Sequence, residues 1–210
     1  MRDRAQLAGH AAGAGRVAAA RRRAGRRRTA VILLGVLGLV TAAAIAVRPM
    51  VDDALKEITL PLRHEDVIRQ QSRDKNLDPA LIAAVIYRES KFCDVTSRAG
   101  AKGLMQILPE TAHFIARNSG GTEFEQGDLA DPQINISYGS WYLRYLLDRY
   151  EGNVVAAVAA YNAGHGRVDR WGGKALTVED IRFVETADYT RDVIDKRAEY
   201  RREYRSELGL

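Results

Sequence analysis

Cysteine is almost absent from the 210-residue chain, in which Cys93 is the only one. An intramolecular disulfide is therefore excluded, and the fold must be stabilised by packing. Cys93 is a poor candidate for a nucleophile, because no pattern of histidine and asparagine accompanies it. Metal-ligand spacing is also missing among the four histidines, which are His10, His64, His113 and His165. The sequence therefore implies neither a metal nor a cofactor.

Residues 29–210 have no excess of positive charge, unlike the first 28 residues. That segment holds nine arginines and one aspartate, a net charge of +8 against +5 for the whole chain, so the remaining residues carry −3. A folded domain with this balance has no electrostatic basis for binding nucleic acid. We therefore expect no nucleic-acid partner.

Charge is missing altogether from residues 29–47, a run of 19 mostly aliphatic residues. This length is close to the ~20 residues that cross a bilayer as a helix. The basic segment 1–28 before it predicts a cytoplasmic tail, with the rest of the chain outside the cytoplasm. A cleaved signal peptide is the alternative, because Ala44-Ile45-Ala46 has the form of a cleavage site. We predict a single-pass anchor, then a stalk over 48–62 with Pro49 and Pro61 as helix breakers, and a folded domain over 63–210.

The alternation of apolar and polar residues that is typical of strands is missing too, although 92–106 could form a small hairpin. The fold class is therefore predicted as all-α or mainly α. A loop is predicted over 117–131, and helices are predicted at 64–76, 79–89, from 109, at 131–150, at 153–164 and from 180 towards the C terminus.

Glu89 occupies a position where a helix normally has an apolar residue. Asp78-Pro79 supplies a cap and a proline at the first helical position. Ile82, Val85 and Ile86 precede Glu89 at the spacing of one buried helix face. Burial raises the pKa of a carboxyl group, which is the property that a general acid needs. The alternative is a structural carboxylate that is paired with an arginine.

Two further motifs follow Glu89-Ser90. The first is Gly103-Leu104-Met105-Gln106, within a glycine-punctuated segment. The second is Ala160-Tyr161-Asn162-Ala163-Gly164, at the end of an apolar helix. Tyr161 ends a buried stripe, so its hydroxyl needs a hydrogen-bond partner.

These three motifs, in this order, resemble the catalytic domain of the soluble lytic transglycosylases, relatives of goose-type lysozyme that cut the glycan strands of bacterial peptidoglycan. The resemblance covers roughly residues 64–195 and implies a lysozyme-like helical fold. It implies that one glutamate protonates the bond between N-acetylmuramic acid and N-acetylglucosamine. The same glutamate then takes a proton from the muramoyl 6-hydroxyl, which leaves a 1,6-anhydro end.

The resemblance assigns Glu89 as the catalytic acid and base. It implies that Tyr161 hydrogen-bonds near Glu89 and helps to orient it, with Asn162 alongside, and that Met105 and Gln106 line the glycan groove. Other residues implied to bind substrate are Ser97, Glu185 and Tyr189. The segment from Glu89 to Ser97 lacks a proline and is one residue shorter than in many family members, so the position of Ser97 departs from the family pattern.

The predicted anchor and the basic segment before it, taken with the resemblance, predict a bacterial cell-membrane protein with its catalytic domain on the cell-wall side. Envelope-assembly proteins of unknown identity are expected as partners. Two other functions fit the same residues. One is a muramidase that uses water and leaves a reducing end. The other is a peptidoglycan-binding scaffold whose catalysis is weak or lost.

Overall fold

The computed structural model describes residues 35–120 and 126–210. The predicted tail, 1–28, and the first part of the predicted anchor, 29–34, lie outside the described residues. The described part contains eight α-helices and no strand, which confirms the predicted fold class. The helices are α1 (Gly35–Thr59), α2 (Glu65–Lys75), α3 (Pro79–Ser90), α4 (Pro109–Asn118), α5 (Pro132–Arg149), α6 (Val154–Ala163), α7 (His165–Trp171) and α8 (Val184–Glu203).

The chain divides into two compact units, Met1–Lys56 and Glu57–Leu210. By length and composition alone, α1 is apolar enough to cross a membrane. The expectation that Pro49 breaks the helix is wrong, since α1 continues through it to Thr59. A proline removes a single helical hydrogen bond, and the bonds on either side can keep such a helix continuous.

The last residues of the predicted stalk belong to the second unit. Leu60 and Leu62 are buried. The Tyr204 hydroxyl donates to the Leu60 carbonyl at 2.7 Å, and the Tyr200 hydroxyl donates to the Pro61 carbonyl at 2.6 Å. The stalk boundary at residue 62 is therefore wrong, because these contacts anchor residues 60–62 to α8.

Local sequence sets the starts of the helices around the core. The Asp78 side chain accepts from the Ala80 amide at the start of α3, and the Asp131 side chain does the same for Gln133 at the start of α5. Asn153 caps α6 in the same way. These caps satisfy amides that have no partner inside the helix. The predicted starts of these three helices are confirmed.

Three predicted segments differ in detail. The predicted loop 117–131 includes a 3₁₀ helix, Gln126–Ala130, while residues 121–125 lie outside the described residues. The predicted hairpin is reduced to two isolated antiparallel bridges, Thr96 with Lys102 and Lys102 with Ile107. The last helix begins at Val184 rather than near Asp180, because a short 3₁₀ turn, Val178–Asp180, is closed by the Asp180 carboxylate.

The core of the second unit is built around α3, whose first eight residues, 79–86, are all buried. This helix packs mainly against α8, and α6 packs against α8 as well. Such burial is the main stabilising contribution in a domain without a disulfide. The packing brings the C-terminal end of α3 close to the start of α8.

Candidate active site

Glu89 lies one residue before the end of α3, just beyond the fully buried part of the helix. Its Oε1 accepts a 2.6 Å hydrogen bond from the Tyr189 hydroxyl of α8. Burial raises the pKa of Glu89 to about 7, against the weaker opposing effects of the Tyr189 hydrogen bond and the Arg88 charge. The predicted rise in the pKa is therefore confirmed, and its cause is desolvation.

Within the described residues, no ion pair joins Glu89 to an arginine, not even to its neighbour Arg88, so the alternative of a paired structural carboxylate is not seen there. The Nε of Arg88 lies 3.1 Å from Oδ2 of Asp192. Its guanidinium lies over the Tyr189 ring, 5.2 Å from the ring centroid. The direct hydrogen-bond partner of Glu89 is thus a neutral phenol.

Tyr189 is almost completely buried, with 3% of its surface exposed. Burial, followed by the charge of Glu89, raises the pKa of the Tyr189 hydroxyl far above its usual value. The hydroxyl therefore stays protonated and donates to Glu89. The sequence suggested Tyr189 only as a secondary cleft residue, and the structure places it in direct contact with the predicted acid.

Tyr161 holds the neighbouring loop rather than Glu89. Its hydroxyl donates to the Met105 carbonyl at 2.9 Å. The expectation that Tyr161 orients Glu89 by a hydrogen bond is corrected accordingly. The two residues are still close enough to interact. Burial raises the pKa of Tyr161, and the charge of Glu89 is the second cause of the rise.

The side chain of Met105 is completely buried, so its expected role in lining a groove also needs correction. Its sulfur fills the space beside Gly139, where a Cβ would lie 2.3 Å from it. Met105 contributes to the site through its carbonyl group, which Tyr161 binds. An apolar side chain in a core-facing loop is stabilised more by burial than by exposure in a cleft.

Asn135 of α5 organises this loop, and the sequence analysis missed it. Its Oδ1 accepts from the Met105 amide at 2.8 Å, and its Nδ2 donates to the carbonyls of Lys102 and Leu129 at 3.0 and 2.9 Å. Gly103 packs so closely that a Cβ there would lie 2.1 Å from Asn135 Nδ2. A polar residue one turn before Gly139 on the buried face of α5 is the signal that could have identified it.

Ser90, the second residue of the Glu-Ser motif, also fixes the loop. Its hydroxyl lies 2.7 Å from the Leu104 carbonyl and 3.2 Å from the Ile86 carbonyl. The loop is thereby bound to α3 next to Glu89. Tyr161, Asn135 and Ser90 together hold the loop in place through its residues Lys102, Leu104 and Met105.

Gln106 has a left-handed backbone, with φ of 47°, and its Nε2 donates to the carbonyls of Val95 and Gly103 at 2.8 Å each. It also lines a cavity of about 40 Å³ beside Tyr161. The other lining residues are Ile107, Leu108, Thr111 and Tyr142. Gln106 and Tyr161, both predicted to bind substrate, therefore line the same cavity.

The remaining predicted residues have local roles. The Ser97 hydroxyl accepts from the Ala101 amide at 3.0 Å and closes its own turn. Asn162 is exposed, and its Oδ1 accepts from the Thr186 hydroxyl at 2.9 Å. Glu185 is exposed in the first turn of α8, one turn before Tyr189. Their contacts with substrate stay predictions.

Glu89 thus has the properties of a proton donor near neutral pH. In residues 35–120 and 126–210, no group of three or more His, Cys, Asp or Glu side chains could hold a metal ion.

Comparison with known proteins gives a consistent assignment. The Transglycosylase SLT domain family matches residues 66–184. The soluble lytic murein transglycosylase of Escherichia coli (strain K12) is 36% identical over 158 residues, which is 71% of this chain and 24% of that protein. The structure of an inactive mutant of the lytic transglycosylase Slt from Pseudomonas aeruginosa superposes with a TM-score of 0.67 at 32% identity, covering 72% of this chain and 26% of that one.

A relative from Edwardsiella ictaluri is named a membrane-bound lytic murein transglycosylase C. It is 34% identical over 119 residues, which is 51% of this chain and 33% of that protein. The chain therefore spans a third or less of the length of these relatives. Because the family match covers more than half of the chain, including Glu89 and both later motifs, the chain belongs to the Transglycosylase SLT domain family.

Proposed function

We propose that the chain is a peptidoglycan lytic transglycosylase, in which Glu89 acts first as the acid and then as the base. The observation that supports this most directly is the hydrogen-bonded Glu89 carboxyl at the end of α3, with a pKa of about 7. About half of such a carboxyl is protonated at neutral pH, so both forms that the reaction needs are accessible.

The surroundings of Glu89 suit a reaction with one carboxyl group. Among the described residues, two side chains alter the pKa of Glu89 besides its burial: Tyr189 by its hydrogen bond and Arg88 by its charge. Neither is a second carboxylate, which hydrolysis of a glycoside normally uses as a base or a nucleophile. A substrate that supplies its own nucleophile removes the need for one.

The proposed reaction transfers one proton out of Glu89 and one back. Glu89 protonates the oxygen between N-acetylmuramic acid and N-acetylglucosamine, and the bond from that oxygen to the muramoyl C1 breaks. The Glu89 carboxylate then takes the proton of the muramoyl 6-hydroxyl while its oxygen bonds to C1. The acid is regenerated, and no water is consumed.

Tyr189 stabilises the carboxylate form of Glu89, which exists between the two proton transfers. Its hydroxyl occupies Oε1, so Oε2 is the oxygen that carries the transferable proton. When Glu89 becomes a carboxylate, the hydrogen bond from Tyr189 becomes charge-assisted and therefore stronger. A buried hydrogen-bond donor of this kind acts without reorganisation during the reaction.

Mass spectrometry of the released muropeptides tests this function. The full-length protein in detergent is incubated with purified peptidoglycan, beside the Glu89→Gln protein. We expect anhydromuramoyl products, lighter by one water than reducing-end products, and their loss in the variant. Reducing-end products would indicate a muramidase. No products from a folded protein that still binds peptidoglycan would indicate a scaffold.

We also infer that α1 anchors the protein in the membrane, with the Glu57–Leu210 unit on the cell-wall side. The length and apolar composition of α1 support this, as does the relative whose name describes it as membrane-bound. The basic charge of residues 1–28 favours their retention in the cytoplasm.

Fractionation of bacterial cells tests the anchor. The full chain should remain with membranes after an alkaline wash, whereas residues 57–210 made without the preceding segment should be released. The mass of the mature protein separates an anchor from a signal peptide. A mature chain that begins shortly after Ala46 would contradict the anchor.

A further inference from the structure

Arg88 makes two contacts with α8, although it is the immediate neighbour of Glu89 on α3. Asp192, which lies 3.1 Å from Arg88 Nε, follows Tyr189 by three residues and so shares its helix face. The Arg88 Nε is buried and makes no hydrogen bond within the described residues, so its contact with Asp192 is an ion pair. The same guanidinium lies 5.2 Å from the centroid of the Tyr189 ring.

Tyr189 is therefore held at two places by consecutive residues of α3. Its hydroxyl donates to Glu89 at 2.6 Å, and Arg88 covers a face of its ring. A cation over an aromatic ring is attracted to it, so the ring has a preferred position beneath the guanidinium. This arrangement limits how far the hydroxyl can swing away from Glu89.

Resting on the proposed function, we propose that Arg88 is a positioning residue: held by Asp192, it keeps the Tyr189 ring where its hydroxyl reaches the Glu89 carboxyl. Arg88 acts through Tyr189 and is not assigned any contact with the substrate.

The charged groups around Glu89 set the sign of the expected change. From α3, Arg88 lowers the pKa of Glu89, and so does the Tyr189 hydrogen bond from α8. Tyr161 faces Glu89 from α6, and its charge state is neutral because burial raises its pKa far above the usual value. The helix α2 also packs against α3, and its buried residues do not titrate; they are Val67, Ile68 and Gln71.

The first test is the titration of the Glu89 carboxyl by ¹³C NMR in the full-length protein in detergent, without substrate. Its signal is assigned by its absence in Glu89→Gln. In Arg88→Gln we expect the midpoint to move upwards by roughly half a pH unit. In Arg88→Lys the midpoint should lie close to that of the wild-type protein, because lysine keeps the positive charge. A midpoint unchanged in Arg88→Gln would overturn the proposal.

The second test asks whether Arg88 acts through Tyr189. On peptidoglycan, Arg88→Gln should lower kcat by roughly 2- to 5-fold and leave KM unchanged within about twofold. In a Tyr189→Phe background, which lacks the hydroxyl, the same change should have no further effect on kcat. An equal loss in both backgrounds would mean that Arg88 acts independently of the hydroxyl and would overturn the proposal.

Arg191→Gln is the matched control. Arg191 is an exposed arginine of α8, and it pairs with Asp188 at 3.1 Å. Its removal should change neither the titration nor kcat. Because the NMR titration needs no turnover, it can be repeated in the Tyr189→Phe background if the chain proves not to be a transglycosylase. Arg88→Gln should move the Glu89 midpoint less there than in the protein with Tyr189, because only the direct effect of the Arg88 charge is left; an equal shift in both backgrounds would overturn the proposal.

Discussion

The Tyr189 hydroxyl lies 2.6 Å from Oε1 of Glu89, although the two residues are 100 positions apart in the chain. This contact depends on the packing of α8 against α3, which is itself fixed at the other end of α3. There, the Asp78 carboxylate accepts from Arg197 at 2.6 Å and from Arg201 at 2.9 Å, both residues of α8. The helix pair is thus held on both sides of the buried segment.

The pH dependence of the reaction follows from the pKa of Glu89. Only the protonated carboxyl can donate the first proton, so kcat/KM should fall as the pH rises through about 7. Initial rates of muropeptide release between pH 5 and about 9 measure this. A rate that keeps rising up to about pH 9 would exclude Glu89 as the acid.

The stability of the protein should depend on pH through the same residue. The pKa of Glu89 is about 7 in the folded protein and 4.5 when the side chain is exposed to water. The stability that the neutral carboxyl contributes is therefore fully present below pH 4.5 and is lost as the pH rises through 7. The loss amounts to at most about 3 kcal/mol. Glu89→Gln cannot ionise, so relative to wild type its free energy of unfolding should increase between pH 4.5 and about 8. Urea unfolding of both proteins at the two pH values gives the difference, and equal pH dependence would contradict the buried carboxyl.

Removing the hydroxyl of Tyr189 should affect Glu89 directly. Tyr189→Phe deletes the hydrogen bond that stabilises the Glu89 carboxylate, which is worth about 1.5–3 kcal/mol when the acceptor is charged. We expect kcat to fall by roughly 10- to 100-fold. The pH at which kcat/KM declines should rise, because this hydrogen bond lowers the pKa of Glu89.

Tyr161→Phe provides the comparison for Tyr189→Phe. The lost bond is to the Met105 carbonyl, so the free energy of unfolding should fall by about 1 kcal/mol. Activity should fall less than in Tyr189→Phe or Glu89→Gln. If Tyr161→Phe moved the pH profile more than Tyr189→Phe, the assignment of the two tyrosines would be reversed.

Asn135→Ala should destabilise the loop that carries Met105 and Gln106. The change removes three hydrogen bonds and leaves their backbone partners unpaired, at a cost of about 3 kcal/mol. Asn118→Ala is the control, since Asn118 is exposed at the end of α4 and its side chain donates to the Phe114 carbonyl within the same helix. Thermal unfolding of both variants would show the difference, and equal effects would contradict the role of Asn135.

The N-terminal boundary of the folded unit can be tested by truncation. A protein that begins at residue 63 lacks Leu60 and Leu62 and leaves the hydroxyls of Tyr200 and Tyr204 without their carbonyl partners. We expect it to be less stable than residues 57–210 by on the order of 5 kcal/mol. Residues 53–210 should match residues 57–210 in urea unfolding. Equal stability of the two truncations at 57 and 63 would restore the longer stalk.

Local rules predicted the elements that carry the site. Asp78-Pro79 placed the start of α3, and the spacing of apolar residues placed Glu89 beside a buried face. The same rules overestimated the effect of Pro49, because one missing hydrogen bond does not end a helix whose other bonds continue. The family resemblance assigned Met105 to a groove, because an apolar residue in a loop motif does not reveal which side of the loop is buried.

The sequence by itself determined the helical class, the position of Glu89 beside a buried helix face and the order of the three motifs, because capping and periodicity act over a few residues. The tertiary structure alone decided which side chains contact one another. The hydroxyl that donates to Glu89 belongs to Tyr189 and not to Tyr161, and Asn135 holds the loop that carries Met105. These choices depend on how α5, α6 and α8 pack around α3, and periodicity identifies the buried face of a helix without identifying its neighbour.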